Sequence, residues 1–333
     1  MSRILFVCAA GPRVGGGHVM RSLTLARALE RAGAACAFQT TPEVAAVLDA
    51  FAPDMARTED DEDFDAVVFD HYGLTAADHR MIAKRRPRLV IDDLADRPLA
   101  ADLIVDSGPA RKPGDYAGFV PPHARLLLGP DYAPVRPAFV ERRPAALARR
   151  AGQPPVRRIL VSLGLTDVGG ITWRVVNLLR PLVGEAALDV VVGGGAPSLP
   201  VLRALAAEDP RVTLHVDAQD MAQLTLEADL AIGAGGSTTW ERCVLALPTL
   251  ALILAANQAP AAQALAAAGV APCLDVAAAD FEAAFTREVR DLLANADRRA
   301  ALSAASARVC DGLGAERVAE AFLEMIKLNA LSR

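Results

Sequence analysis

Two doubly wound α/β domains with parallel sheets are predicted for this chain by three observations. Its 333 residues are enough for two domains of ordinary size. Short apolar runs alternate with helical stretches, the pattern of strands buried on both faces and joined by crossover helices. The alternation pauses at about residue 141 and restarts at about 157, so each half carries its own series. The first domain is placed at residues 1–145 and the second, with the terminal helices, at 146–333.

Strands of the first half are read at RILFVCA (3–9), ACAFQT (35–40), DAVVFD (65–70), RLVIDD (88–93), DLIVD (102–106) and RLLLG (125–129). After the first of them, HVMRSLTLARALERAG repeats Val19, Leu23, Ala26 and Leu29 at helical steps, and Gly33 supplies the stop. The stretch ERRPAALARRAGQPPVRR (141–158) carries six arginines and three prolines without a strong apolar face. It reads as a solvated interdomain linker rather than a nucleic-acid patch. Strands resume at RRILVSLG (157–164), LDVVVGG (188–194), VTLHV (212–216), ADLAIG (228–233) and PTLALIL (248–254), and after about residue 280 the pattern is helical only. Ligands of such sheets bind beyond the C-terminal ends of the strands. Function is therefore sought in the loops that follow strands, with the two sheets expected to face a cleft.

Composition excludes several classes. With 53% hydrophobic residues, 23% charged residues and a formal net charge of −5, nothing attracts nucleic acid or an anionic membrane. Every apolar run is broken well short of the roughly 20 residues that span a bilayer. Arg3 precedes only a short run that meets Gly-Pro-Arg, which is a strand and its loop rather than a secretory signal. A cytoplasmic monomer is expected. The five cysteines (Cys8, Cys36, Cys243, Cys273, Cys310) are scattered, show no metal spacing and read as buried thiols. No cofactor and no metal is expected.

The loops are more informative. AIGAGGSTTWERCVLALP (231–248) ends a strand, turns through glycines and opens a helix at Ser237 or Thr238. Free N–H groups and the missing Cβ atoms suit a diphosphate there. Glu241 completes Thr238-x-x-Glu241, which fits a capping box as well as it fits a carboxylate receiving the two ribose hydroxyls. GGGHVMR (15–21) sets His18 at a helix N-terminus, where the dipole favours a neutral imidazole able to take a proton from water. The alternative is a turn histidine making one backbone hydrogen bond. FDHYG (69–73) brings Asp70, His71 and Tyr72 to the same rim, and IDDL (91–94) adds Asp92 and Asp93, although turn capping explains most acids at strand ends. AANQAP (255–260) presents Asn257 and Gln258, while VSLGLTD (161–167) and VVGGGAPS (191–198) are further turns on the nucleotide side. No GxSxG elbow occurs, and GPRVGGG does not fit a dinucleotide fingerprint.

In chain order, GGGHVMRSLTLA, FDHYGL, IDDLADRP, LLGPDYAPVRPAF, ADLAIGAGGSTTWERCVLALP and LAANQ resemble the motifs of the UDP-sugar hydrolases of pseudaminic acid biosynthesis, over about residues 3–325. That family shares the GT-B architecture of MurG-like glycosyltransferases. The resemblance implies release of UDP from UDP-2,4-diacetamido-2,4,6-trideoxy-β-L-altropyranose, with water attacking the anomeric carbon under inversion and no metal taking part. His18 falls on the family's catalytic histidine and would be the base. Tyr72 and Asn257 fall on positions that help to orient the water or the acetamido sugar. Gly235, Gly236, Ser237 and Thr238 match the diphosphate turn, Glu241 the ribose-binding acid, and Gly17, Arg21 and Gln258 lie in matching motifs as further binding positions. The implied partners are the UDP-sugar and UDP, with use of the final sugar on flagellin or a surface glycan. Two positions depart from the pattern: Leu165 stands where the family turn has a second glycine, and Ala256 where an Asp often precedes Asn-Gln. A UDP-sugar glycosyltransferase would share the fold, the turn and His18. A binding protein without turnover would not need the intact histidine motif.

Overall fold

The computed structural model describes residues 1–11, 14–59 and 63–331; Pro12 and Arg13, in the loop read before His18, lie outside them. In the first half, β1 (Arg3–Cys8), α1 (Gly17–Arg31), β2 (Ala35–Gln39), α2 (Pro42–Phe51), β3 (Ala56–Thr58) and β4 (Ala66–Asp70) follow one another. They lead into α3 (Ala76–Ala83), β5 (Arg88–Ile91), β6 (Leu103–Asp106) and β7 (Arg125–Leu128). These strands form a parallel sheet in the order β3-β2-β1-β4-β5-β6-β7. The order reverses between β1 and β4, where Cys8 is in register with Asp70. α1 forms as its pattern predicts: Val19, Leu23, Ala26 and Leu29 are buried, and Gly33 follows the helix at φ +90°, a conformation that favours glycine.

The second series begins with α4 (Pro137–Ala151), then β8 (Arg158–Ser162), α5 (Ile171–Leu179), β9 (Ala187–Val192), α6 (Leu199–Glu208), β10 (Val212–Val216) and α7 (Met221–Glu227). It continues through β11 (Leu230–Ala234), α8 (Thr238–Val244), β12 (Thr249–Ile253), α9 (Ala259–Ala267) and β13 (Cys273–Asp275). Three helices close the chain: α10 (Phe281–Ala294), α11 (Ala296–Val309) and α12 (Gly314–Leu331). The parallel order is β10-β9-β8-β11-β12-β13, with the reversal between β8 and β11. The short edge strands β3 and β13 were not read from the sequence. Three residues are too few to show a period, and these segments are strands because a neighbour offers them a ladder.

The molecule divides differently from the expected 145/146 boundary. One unit is Met1–Arg136 with Leu313–Arg333, the other Pro137–Gly312. α12 buries Val318, Phe322 and Ile326 in the core that holds Ile4, Phe6, Leu25 and Leu29, so the last helix belongs to the first unit. The stretch read as a linker is largely the helix α4. It buries Phe139 and Ala146, and arginines add polar docking along its length. Arg143 donates to the Val244 and Ala307 carbonyls at 2.6 Å, and Arg150 to that of Thr225 at 3.1 Å. Arg149 binds Asp229 at 2.5 Å. Those carbonyls lie in the last turns of α8, α11 and α7, which lack helical donors of their own. Among the described residues no helix is long and apolar enough to cross a membrane. Cys8, Cys36, Cys243 and Cys310 are buried, as read, whereas Cys273 is half-buried, and burial pushes the Cys243 thiol up to about 11 and that of Cys310 to about 12.

Candidate active site

The first unit gathers its polar side chains where β1 and β4 end. The chain leaves β1, turns through Gly15 at φ +83° and enters α1 at Gly17, which is exposed. His18, one residue in, is 6% exposed. Its Nδ1 makes a short hydrogen bond to Oδ1 of Asp70, the last residue of β4. Arg21, one turn along α1, forks onto the same carboxylate, with Nε donating to Oδ2 at 2.6 Å and Nη2 to Oδ1 at 2.7 Å. Its Nη1 donates to Asp93 Oδ2 at 2.6 Å. The Tyr72 hydroxyl donates to that Asp93 oxygen at 2.5 Å, and the Tyr72 ring meets the His18 ring edge to face, centroids 4.5 Å apart. Ser22 adds a donor to Asp70 at 3.3 Å.

Electrostatics keep Asp70 ionised, Arg21 charged and Tyr72 protonated. Burial would raise the Asp70 carboxyl, but the Arg21 guanidinium and His18 outweigh it and hold Asp70 well below the usual carboxylate range. Burial opposes the charge on Arg21 too, and Asp70 and Asp93 reverse that, raising it. Burial and then the Asp93 charge push the Tyr72 phenol up, so it stays a donor. An ionised Asp70 has no proton to give, so the bridging proton is on Nδ1 of His18. In the neutral ring Nε2 is then the lone-pair nitrogen, and among the described residues nothing hydrogen-bonds to it. The single backbone bond of a turn histidine is not what is found.

Two placements differ from the sequence expectation. Arg21 is committed to carboxylates and is a structural cation here, its side chain 10% exposed. Tyr72 has its hydroxyl engaged by Asp93 and presents its ring to His18. Asp92 does behave as a turn acid, accepting from Ala95 N–H at 2.8 Å. Asp70 does not, and its partnership with His18, like the role of Asp93, went unread. The signal lay in strand order, since β1 and β4 are distant in sequence but adjacent in a sheet of this type.

The second unit carries the glycine-rich turn. Gly235 N–H donates to the Leu252 carbonyl at 2.9 Å, pinning the turn to β12. Among the described residues the N–H groups of Gly236, Ser237 and Thr238 make no hydrogen bond. The capping box does not form. Ser237 is the N-cap and makes no side-chain cap bond, which leaves Thr238 and Glu241 one position out of phase. Thr238 Oγ1 instead accepts from Nη1 of Arg242 at 3.0 Å, a residue the sequence reading passed over. Glu241 is buried at 9% exposure. Gln258 uses its Oε1 to accept from Leu254 N–H at 3.0 Å, whereas Asn257 is exposed.

At the departure point Leu165 is half-buried, and its carbonyl accepts from Gly193 N–H at 3.0 Å. A Cβ on Gly193 would lie 2.4 Å from that oxygen, so glycine is required for this approach. Asp167, at φ 45°, accepts from Thr172 N–H at 2.8 Å and Ser198 N–H at 2.9 Å, tying the turns after β8 and β9 together. Ala256 is exposed, in a short 3-10 turn with Asn257.

No protein-family model matches the chain. It is 21% identical over 279 residues to the UDP-2,4-diacetamido-2,4,6-trideoxy-β-L-altropyranose hydrolase of Campylobacter jejuni, spanning 80% of this chain and 97% of that protein. It is 28% identical over 200 residues to a UDP-N-acetylglucosamine–N-acetylmuramyl-(pentapeptide) pyrophosphoryl-undecaprenol N-acetylglucosamine transferase of Salinibacter ruber, spanning 55% of this chain and 54% of that protein. Among solved structures, MurG of Acinetobacter baumannii superposes with a TM-score of 0.65 at 17% identity, covering 97% of this chain and all of MurG (100%). The chain therefore has the GT-B fold of MurG-like enzymes, with a sequence similar over most of its length to that UDP-diacetamido-trideoxy-altropyranose hydrolase.

Proposed function

We propose that the protein is an enzyme acting on UDP-sugars, and that it hydrolyses UDP-2,4-diacetamido-2,4,6-trideoxy-β-L-altropyranose to UDP and the free sugar. The similarity to the C. jejuni hydrolase and to the S. ruber transferase supports the UDP-sugar class. The observation that carries base catalysis at the anomeric carbon is the His18–Asp70 pair, which leaves Nε2 of a fixed imidazole as a base. Hydrolysis rather than transfer is supported by the similarity to the C. jejuni hydrolase over 80% of this chain.

In this reading Nε2 takes a proton from water as its oxygen attacks C1 of the sugar. The bond from C1 to the diphosphate oxygen breaks, its electron pair leaves with UDP, and the configuration at C1 inverts. Asp70 stays ionised and stabilises the imidazolium as it forms. Tyr72 supports the imidazole through ring packing. On the second unit, the N–H groups at 236–238 receive the diphosphate as fixed dipoles that need no reorganisation. Glu241, relieved of a capping role, receives the ribose hydroxyls, and Asn257 faces the sugar substituents.

Purified protein given this UDP-sugar without an acceptor is expected to release UDP and free sugar, with one anomer formed first in the NMR spectrum. His18→Ala is expected to lower turnover by about 10²–10⁴-fold, with UDP affinity changed by less than about two-fold. Full turnover by His18→Ala removes His18 as the base. The similarity to the S. ruber transferase favours a second reading, transfer to an acceptor. Release of UDP only when an acceptor is added, with a conjugate as product, selects it.

A further inference from the structure

Arg242 is 4% exposed, lies on α8 directly beneath the turn 234–238, and has no carboxylate within ion-pair distance among the described residues. Its Nη2 donates to the Ala234 carbonyl at 2.7 Å and to Thr239 Oγ1 at 3.1 Å, its Nη1 donates to Thr238 Oγ1 at 3.0 Å, and its Nε has no partner. The guanidinium lies against Gly233 of β11. A Cβ on Gly233 would sit 2.5 Å from Cζ, so the glycine there makes room for the arginine.

A buried cation without an anion is costly. The charge of the neighbouring Glu241 offsets part of that cost here, but no carboxylate reaches the guanidinium among the described residues. Among those residues, too, the N–H groups of Gly236, Ser237 and Thr238 above it make no hydrogen bond. α8 has only seven residues, and a helix so short supplies little dipole of its own. The guanidinium has a directional effect as well. Thr238 Oγ1 receives a hydrogen bond from Arg242, so its own proton is directed away from the guanidinium, and it makes no other side-chain bond among the described residues.

We infer that Arg242 is a positioning residue for a nucleoside diphosphate: it turns the Thr238 hydroxyl into a donor toward the diphosphate and leaves its buried charge to be balanced by that ligand. The inference rests on the nucleotide reading above and deepens it. Burial lowers the guanidinium only to about 10, so the charge is present at neutral pH.

The test is calorimetric titration of the full-length protein with UDP, uridine and inorganic pyrophosphate, with melting of each unliganded variant as a check on folding. Arg242→Gln is expected to weaken UDP and pyrophosphate by about 10–100-fold, the range of hydrogen bonds to charged groups, and uridine by less than about two-fold. Thr238→Val is expected to weaken UDP by about 10-fold, and the double variant to be about as weak as Arg242→Gln alone, because the two act as one unit. Should Arg242→Gln fail to fold, Arg242→Lys takes its place in the same cycle, with a loss smaller than about 10-fold expected from a retained charge without the planar fork. Unchanged UDP affinity, equal losses for UDP and uridine, or independent losses at 242 and 238 each overturn the inference. If the wild type binds pyrophosphate but not UDP, the nucleotide reading falls while Arg242 is still judged on pyrophosphate. Wild-type protein that binds neither overturns both.

Discussion

Asp70 is the side chain on which the proposed chemistry of His18 depends. Its carboxylate holds the imidazole by Nδ1 while Arg21 and Ser22 hold the carboxylate. Asp70→Asn keeps the shape but removes the charge that fixes the tautomer. It is expected to lower turnover by at least about 10²-fold and, by leaving Arg21 short of an anion, to cost about 3–5 kcal/mol of stability. The pH dependence has a defined sign. Arg21 and His18 depress the folded-state Asp70 below its unfolded value of about 3.9. Its contribution is therefore fully present above about pH 4 and is lost as pH falls through the folded value. Denaturant unfolding of wild type and Asp70→Asn should show a gap that narrows as the pH falls below about 4. A gap that widens below about pH 4 contradicts the assignment. At this scale the placement of His18 at a helix start, and of the glycines and Glu241 at a strand-to-helix turn, was legible, because local sequence specifies such elements. Asp70, Asp93 and Arg242 were visible only as common residues at common places, since what singles them out is a partner elsewhere in the chain.

The elements followed their patterns where burial is apolar and lost them where it is not. α1 was readable because its inner face is aliphatic. α4 was not, because Arg143, Arg149 and Arg150 attach it to carbonyls and a carboxylate. α12 was read correctly as a helix and assigned to the wrong unit, since an amphipathic pattern states that a face is buried and not which core receives it. Phe322, fully buried, tests the correction. Phe322→Ala is expected to cost about 3–5 kcal/mol, and hydrogen exchange should show that loss in the strands β1 and β2 while β8 and β11 keep their protection. Faster exchange in β8 and β11 instead would return α12 to the second unit.

At the scale of the molecule, the two units divide the proposed work, the first carrying the base and the second the nucleotide turn. UDP at about 100 times its Kd should slow amide exchange around residues 236–239 by up to about 100-fold and leave residues 18–25 unchanged. Protection at 18–25 alone would move the nucleotide to the first unit and overturn the reading. The tandem parallel sheets, most of the strands and the strand-end loops proposed to bear function followed from residues close together in the chain. Hydrophobic period, glycine conformation and strand-end turns are local physics, and sequence displays local physics directly. The pairing of His18 with Asp70, the engagement of Arg242 with Thr238 and Ala234 beneath the turn, the arginine docking of α4 and the return of α12 to the first core came with the fold. Each depends on which strands become neighbours and which polar groups must find partners once water is excluded, and those are properties of the packed chain rather than of any segment of it.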